Sequence, residues 1–173
     1  MSQPHAFQHY YPEDSSHCYG CGRLNPKGYH IQSFWDGDKA VCRFKPEPYH
    51  TAIPGYVYGG LIAALIDCHS TGTAAASAYR QAKREMGSEP SFRFVTASLH
   101  VDYLLPTPLG PELSIEATAV EIKERKVVVE STLFALEPQG PITCARGKVV
   151  AVRMPDNWIP DSEGSNEGTK ETP

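Results

Sequence analysis

No apolar run in this chain reaches the roughly 18 residues that a helix needs to cross a bilayer, so a membrane-spanning helix is excluded. Excess positive charge is also missing. Sixteen Lys and Arg stand against 20 Asp and Glu, a formal net charge of −4. A nucleic-acid surface needs a basic footprint, and none is present. The opening Met-Ser-Gln-Pro-His lacks the charged-then-apolar order of a secretory signal. The sequence therefore predicts a cytoplasmic protein with neither membrane nor nucleic acid as partner. There is no internal repeat, and no second Cys-x-x-Cys follows the first.

Five cysteines make an odd count. Cys42, Cys68 and Cys144 sit alone in apolar segments and read as small core residues. His17-Cys18-Tyr19-Gly20-Cys21 offers three close metal ligands, one short of a structural zinc site, with His5, His9 and His30 as the candidates to complete it. The segment leads into the turn signal Asn25-Pro26-Lys27-Gly28 and is read as a compact turn, so no metal and no cofactor are expected.

What the sequence does have is one acidic residue in an apolar helix. Gly59-Gly60-Leu61-Ile62-Ala63-Ala64-Leu65-Ile66-Asp67-Cys68 carries no other charge, and the first Lys or Arg after it is Arg80. A helix apolar nearly all round is a buried helix. A carboxylate on it is costly unless it is paired, protonated or open to a polar cleft. Asp67 therefore either has a structural partner or does chemistry. The glycine pair Gly59-Gly60 leaves backbone N–H groups uncovered at the positive end of the helix, a place for an anion or a developing oxyanion.

The chain of 173 residues suits one ordinary domain. Residues 1–17 form an N-terminal extension, residues 18–154 the domain, and residues 155–173 a Glu/Ser/Gly/Pro-rich tail expected to be disordered. Tyr29–Trp35 and Ala40–Phe44 read as strands about the hairpin signal Asp36-Gly37-Asp38-Lys39. The helix runs from Gly59 to about Lys83. Ser91–Leu104, Glu112–Lys123, Lys126–Leu136 and Ile142–Met154 read as four more strands. The expected fold is α+β, an antiparallel sheet wrapped around one long central helix. In the first of the four strands, Leu99, Val101 and Tyr103 share one parity and are expected to meet the helix. Thr96, Ser98, His100 and Asp102 share the other, which leaves a polar face for a partner subunit or a ligand channel.

This order, with Gly-Gly-x6-Asp at the helix start, resembles the hotdog-fold acyl-CoA thioesterases of the PaaI type over roughly residues 18–154. Pro54-Gly55-Tyr56-Val57-Tyr58-Gly59-Gly60…Asp67 is similar to that family's Pro-Gly-(Tyr/Phe)-x-His-Gly-Gly…Asp motif. Thr96 to Pro106 is similar to its Thr-x-x-Leu-x-(Ile/Val)-x-(Tyr/Phe)-x-x-Pro strand, and Cys18 to Gly28 resembles an N-terminal segment of a subset of the family. The resemblance implies Asp67 as general base or nucleophile, Gly60 with Gly59 as the backbone oxyanion donors, and Thr96 as the residue that positions the water or the Asp. Tyr58 stands where the family has His, and a phenol stays neutral near pH 7. Tyr58, Gly59 and His50 are the expected substrate contacts, His50 more as a solvated loop residue than as a replacement for the missing His. His69 and His100 are read as structural or interface residues. Lys83, Arg84, Arg93 and Arg125 are candidates for the coenzyme A phosphates, with plain surface charge as the equal alternative.

Spacing adds an oligomer. Gly60 and Asp67 lie seven residues apart, on nearly one helix face but about 10 Å apart along the axis. A reacting carbonyl needs donor and base each within about 3 Å. Two antiparallel helices across a two-fold axis meet that need, so a homodimer with two equivalent sites is expected; the resemblance adds a dimer of dimers. The expected function is hydrolysis of an acyl-CoA thioester to free acid and coenzyme A. The rival is a non-catalytic acyl-CoA-binding protein on the same fold.

Overall fold

The stretch that opens at Gly59 folds as one helix, α1 (Gly59–Gln81), in a computed structural model that describes residues 5–155 and 158. Leu61, Leu65 and Ile66 on it are fully buried, each contributing about 1.5–3 kcal/mol of apolar burial. The helix stops two residues short of the expected Lys83, because Ala82 caps it and Lys83 takes a left-handed backbone with φ of 53°.

Six strands form a single antiparallel sheet: β1 (Ser33–Asp36), β2 (Lys39–Phe44), β3 (Phe94–Tyr103), β4 (Leu113–Lys123), β5 (Lys126–Glu137) and β6 (Gly140–Arg153). Their order across the sheet is β1-β2-β4-β5-β6-β3, so β1 and β3 are the edges. The expected α+β fold, one long helix on an antiparallel sheet, is what the chain adopts. The β1–β2 hairpin turns at Gly37-Asp38, with Gly37 at a φ of 62°. β1 starts at Ser33 rather than Tyr29, because the Tyr29 and Ile31 N–H groups donate instead to the Tyr19 and Gly20 carbonyls of the cysteine-bearing turn. β3 starts at Phe94 rather than Ser91, because the Phe92 N–H is taken by the Tyr79 hydroxyl.

The helix lies on one face of the sheet and packs tightly against β6 at Gly147. A Cβ on Gly147 would stand 2.3 Å from a methyl of Ile66 and 2.7 Å from the Ser131 hydroxyl, so only glycine lets helix and sheet meet there. At the other end a buried polar chain ties three segments together. His69 sits on the helix, fully buried, and burial lowers its pKa to about 4, so the ring is neutral. Its Nε2–H donates to the Ala40 carbonyl, and its Nδ1 accepts from the Ser33 hydroxyl at 2.8 Å. Gln8 closes the chain, donating from Nε2 to that hydroxyl and accepting the Ser33 N–H on Oε1. Gln8 and Phe7 belong to a short 3-10 turn, Phe7–Tyr10, and both are buried. The Phe7–Tyr10 turn is thus packed against β1 and α1. The expected disordered tail lies, Pro155 and Trp158 apart, outside the described residues.

Candidate active site

The start of α1 is framed by two tyrosines. Tyr58 is the N-cap, with an extended backbone and no side-chain cap of its own. Its ring covers Gly60, where a Cβ would come within 2.4 Å of a ring carbon. Its hydroxyl is 2.8 Å from the hydroxyl of Tyr29. That hydrogen bond pushes the Tyr29 phenol above its ordinary range, chiefly by favouring the protonated form. On the other side, the Tyr103 ring lies against Gly59 and its hydroxyl donates to the Gly59 carbonyl at 2.9 Å. A side chain at Gly60 would collide with the Tyr58 ring, whereas a Cβ at Gly59 would only touch the Tyr103 ring. The Gly59 and Gly60 N–H groups belong to the first helical turn, where no intrahelical acceptor exists. The Leu61 N–H already reaches back to the Tyr58 carbonyl at 3.2 Å.

His50 supports this turn from behind. Its carbonyl accepts the Tyr58 N–H at 3.1 Å, and its Nδ1 accepts the Glu47 N–H at 3.0 Å. The ring is buried among Tyr29, Phe44 and Tyr49. The solvated loop histidine expected from the sequence is therefore an aromatic-packed anchor, because the three-proline loop folds back over the hairpin and encloses it. Tyr58, Gly59, Gly60 and His50 thus form one group.

Asp67 and Thr96 form a second. The Thr96 hydroxyl donates to Asp67 Oδ1 at 2.6 Å, and the Thr71 hydroxyl lies 2.9 Å from the Thr96 oxygen. Thr96 has spent its one proton on the carboxylate, so Thr71 must donate to it. The result is a directed chain, Thr71 to Thr96 to Asp67. Burial pushes the Asp67 carboxyl above its ordinary range, the Thr96 hydrogen bond pulls it back, and the Cys18 sulfur pushes it up. Thr96 was expected on the strand face away from the helix. It faces the helix, because the β3–β6 register slips between Thr96 and Ser98. Ala97 is the extra residue of that bulge, and one extra residue moves everything before it to the opposite face. Thr96, Leu99, Val101 and Tyr103 therefore share the helix-facing side of β3, opposite the buried Ala151, Val149, Gly147 and Ala145 of β6.

Asp67, Thr71 and Thr96 open onto a cleft of about 550 Å³. Tyr58, Gly59, Gly60 and His50 do not line it. One chain therefore carries the two halves of the expected site in separate places. The cleft wall also holds Cys18, Cys21 and Cys68, whose Sγ atoms lie within 4.8 Å of one another. Hydrogen bonds from the Cys21 and Cys68 thiols draw the Cys18 sulfur toward thiolate, and both donors are pushed up in return. Of the basic candidates, Arg93 pairs with Asp14 at 3.0 Å, and Arg84 donates to the Ser88 and Pro90 carbonyls while lying over Phe92. Both have partners within the chain.

Residues 54–142, half of the sequence, match the thioesterase superfamily. The chain belongs to that family. Within this family of thioester hydrolases, a thioesterase superfamily protein from Shewanella loihica PV-4 is 50% identical, with a TM-score of 0.60 over 73% of this chain and 93% of the other. The acyl-coenzyme A thioesterase THEM4 of Xenopus laevis is 39% identical over 89 residues, which cover 51% of this chain and 34% of that protein. The chain thus spans about a third of the length of this curated relative. The E. coli PaaI protein of the phenylacetic acid degradation operon shares the hotdog fold, with a TM-score of 0.58, at 16% identity over 73% of this chain and 81% of its own.

Against this thioesterase-family background, four residues of the site escaped the sequence. Thr71 looked like one more small polar helix residue, although it lies four positions after Asp67 and hence on its face. Tyr29 and Tyr103 reach the glycine turn from segments 30 and 44 residues away from it (29 to 59, 59 to 103). Cys68 read as core filler because its sulfur neighbours are 50 and 47 residues distant (18 to 68, 21 to 68).

Proposed function

We propose that this protein hydrolyses an acyl-CoA thioester to a free acid and coenzyme A, at two equivalent sites shared between the subunits of a homodimer. The observation that carries the reading is the Thr71–Thr96–Asp67 chain aimed into a cleft from an otherwise apolar helix. A structural Asp needs one partner; this one has a positioned donor, a raised pKa and an open side. Those are the attributes of a base or nucleophile rather than of a buried strut.

The other half comes from the second subunit. The free edge of β3 carries Leu99, Tyr103, Leu104 and Leu105, each between 38% and 55% exposed, a run of apolar surface at an unpaired strand. Pairing β3 edge to edge with its copy covers that surface. It brings the Gly59-Gly60 N–H groups of one subunit toward Asp67 of the other. The thioester carbonyl then points its oxygen at the glycine N–H groups. Either the Asp67 carboxylate takes a proton from a water whose oxygen attacks the carbonyl carbon, or it attacks that carbon itself and forms a mixed anhydride that water then hydrolyses to the free acid. The thiolate of coenzyme A departs. Thr96 holds one carboxylate oxygen fixed and leaves the other free for the reaction.

The rival, an acyl-CoA-binding protein without turnover, is favoured by one observation: the Tyr58 hydroxyl, at the position of the family's His, is held by Tyr29. Thiol release over short, medium, long and aromatic acyl-CoAs, with binding measured in parallel by calorimetry, separates the two. Hydrolysis predicts release from wild type and a loss of at least about 10²-fold in Asp67→Asn, with dimer and fold intact. Tight binding of acyl-CoA with no release from wild type establishes the rival.

A further inference from the structure

Cys18, Cys21 and Cys68 take no part in the hydrolysis described above, yet the fold brings them together. All three thiols are free, and Cys18 Sγ lies 3.8 Å from Cys68 Sγ. A disulfide needs about 2.05 Å. Zinc–sulfur bonds of about 2.3 Å around a tetrahedron set sulfurs about 3.8 Å apart, the tetrahedral edge being roughly 1.63 bond lengths.

The turn that holds the first two is shaped for sulfur. The Gly22 N–H donates to the Cys18 carbonyl at 2.8 Å and closes the turn. A Cβ on Gly20 would stand 2.3 Å from Cys68 Sγ. One on Gly22 would fall within 2.6 Å of the Cys18 backbone nitrogen and carbonyl oxygen and of the Ser16 carbonyl oxygen. The two glycines are thus what let the turn close and the helix sulfur enter it. The sequence stopped one ligand short at this segment; Cys68, arriving from α1, is the missing one.

We infer that Cys18, Cys21 and Cys68 bind a thiophilic divalent cation, zinc foremost, whose fourth position opens onto the cleft beside Asp67. Water or the imidazole of His17, which lines the same cleft, completes the tetrahedron. Three sulfurs within 4.8 Å of one another repel as thiolates unless a cation lies between them. A divalent cation allows all three to ionise and releases the protons to solvent. The ion clasps residues 17–31 onto α1 and so fixes the wall of the cleft formed by the N-terminal segment. No electron transfer is involved.

Metal content and cobalt substitution of the full chain test this. The protein is purified reduced and without chelators, and its metal is counted by mass spectrometry. Metal-stripped protein is then titrated with Co(II). The expected result is about one zinc per chain as purified. Co(II) should give a thiolate charge-transfer band and tetrahedral absorption, saturating at one equivalent. Cys18→Ser and Cys68→Ala should each abolish the band, while Cys42→Ala, a buried thiol elsewhere in the core, should keep it. If Cys68→Ala fails to fold, protection of three thiols from alkylation in metal-loaded wild type, absent in stripped wild type, gives the same answer. Folded wild type that purifies without metal and shows no cobalt–thiolate band overturns the inference. So does a Cys18–Cys68 disulfide found by peptide mapping of the protein as isolated.

Discussion

At the scale of single residues, the proposed chemistry rests on how Asp67 is held. Its carboxylate accepts one strong hydrogen bond from Thr96, and Thr96 is itself oriented by Thr71. The Thr96 bond favours the charged form and opposes the effect of burial. Thr96→Val keeps the shape and removes the donor. The Asp67 pKa then rises further, because one of the influences that lower it is gone. The acid limb of kcat/KM should move to higher pH than in wild type, with both proteins compared in the same metal state. Thr96→Ser, which restores the hydroxyl, should bring the limb back. An unmoved limb in Thr96→Val would mean that the bond does not tune the reacting group. Tyr58 poses a separate question. Its hydroxyl bonds Tyr29 and its ring covers Gly60, so the residue both shapes the turn and stands beside the proposed oxyanion donors. Tyr58→Phe keeps the ring over the glycine and loses one hydroxyl contact. A loss of about 1–3 kcal/mol in transition-state stabilisation, read from kcat/KM, is expected if that contact positions the turn. Equal values across the acyl-CoA panel would reduce Tyr58 to a cover for the glycine.

At the scale of elements, α1 and the four long strands were legible because each carries its own period or composition. The helix showed as an uncharged apolar run opened by glycines, and β4 to β6 as β-branched stretches between turn signals. What escaped detection was long-range. The bulge at Ala97 adds one residue and leaves no mark in composition, yet it decides which face of β3 Thr96 occupies. The resemblance put Thr96 beside Asp67, as the hydrogen bond between them has it, while the alternation pattern placed it on the wrong face. Cys68 likewise has no local feature that marks it as a neighbour of Cys18 and Cys21. His50 was placed in the correct group, but its burial depends on a loop folding over an aromatic cluster. The same strand β3 carries the element-scale prediction. Leu99 sits on its helix-facing side at the unpaired edge, 38% exposed. Leu99→Asp puts a charge where the second subunit is expected to pack, and a buried unpaired carboxylate is costly. Light scattering should show a shift from dimer to monomer, with thiol release lost in step. A variant that stays dimeric would place the interface elsewhere.

At the scale of the whole molecule, the separation of the two residue groups is the main consequence of the fold. A 23-residue helix places its glycine start and its Asp67 on one side but about two turns apart. The cleft at Asp67 excludes the glycine pair. In the proposed dimer a single chain supplies half of each of two sites, and a two-fold partner completes both. The most direct test mixes two inactive proteins. Asp67→Asn keeps the glycine turn and loses the carboxylate. Gly60→Pro deletes the Gly60 N–H at a first-turn position where proline is tolerated, with the Tyr58 ring swinging aside. Each homodimer should be nearly inactive in thiol release. After unfolding and refolding together, half of the dimers are mixed, as native mass spectrometry can verify. In each mixed dimer one site joins the intact glycine turn of one chain to the intact Asp67 of the other. Acyl-CoA hydrolysis should return in the mixture, to about a quarter of wild-type activity per chain, since half of the dimers each carry one intact site of two. Verified mixed dimers that hydrolyse no faster than the sum of the two parents would contradict the shared-site reading.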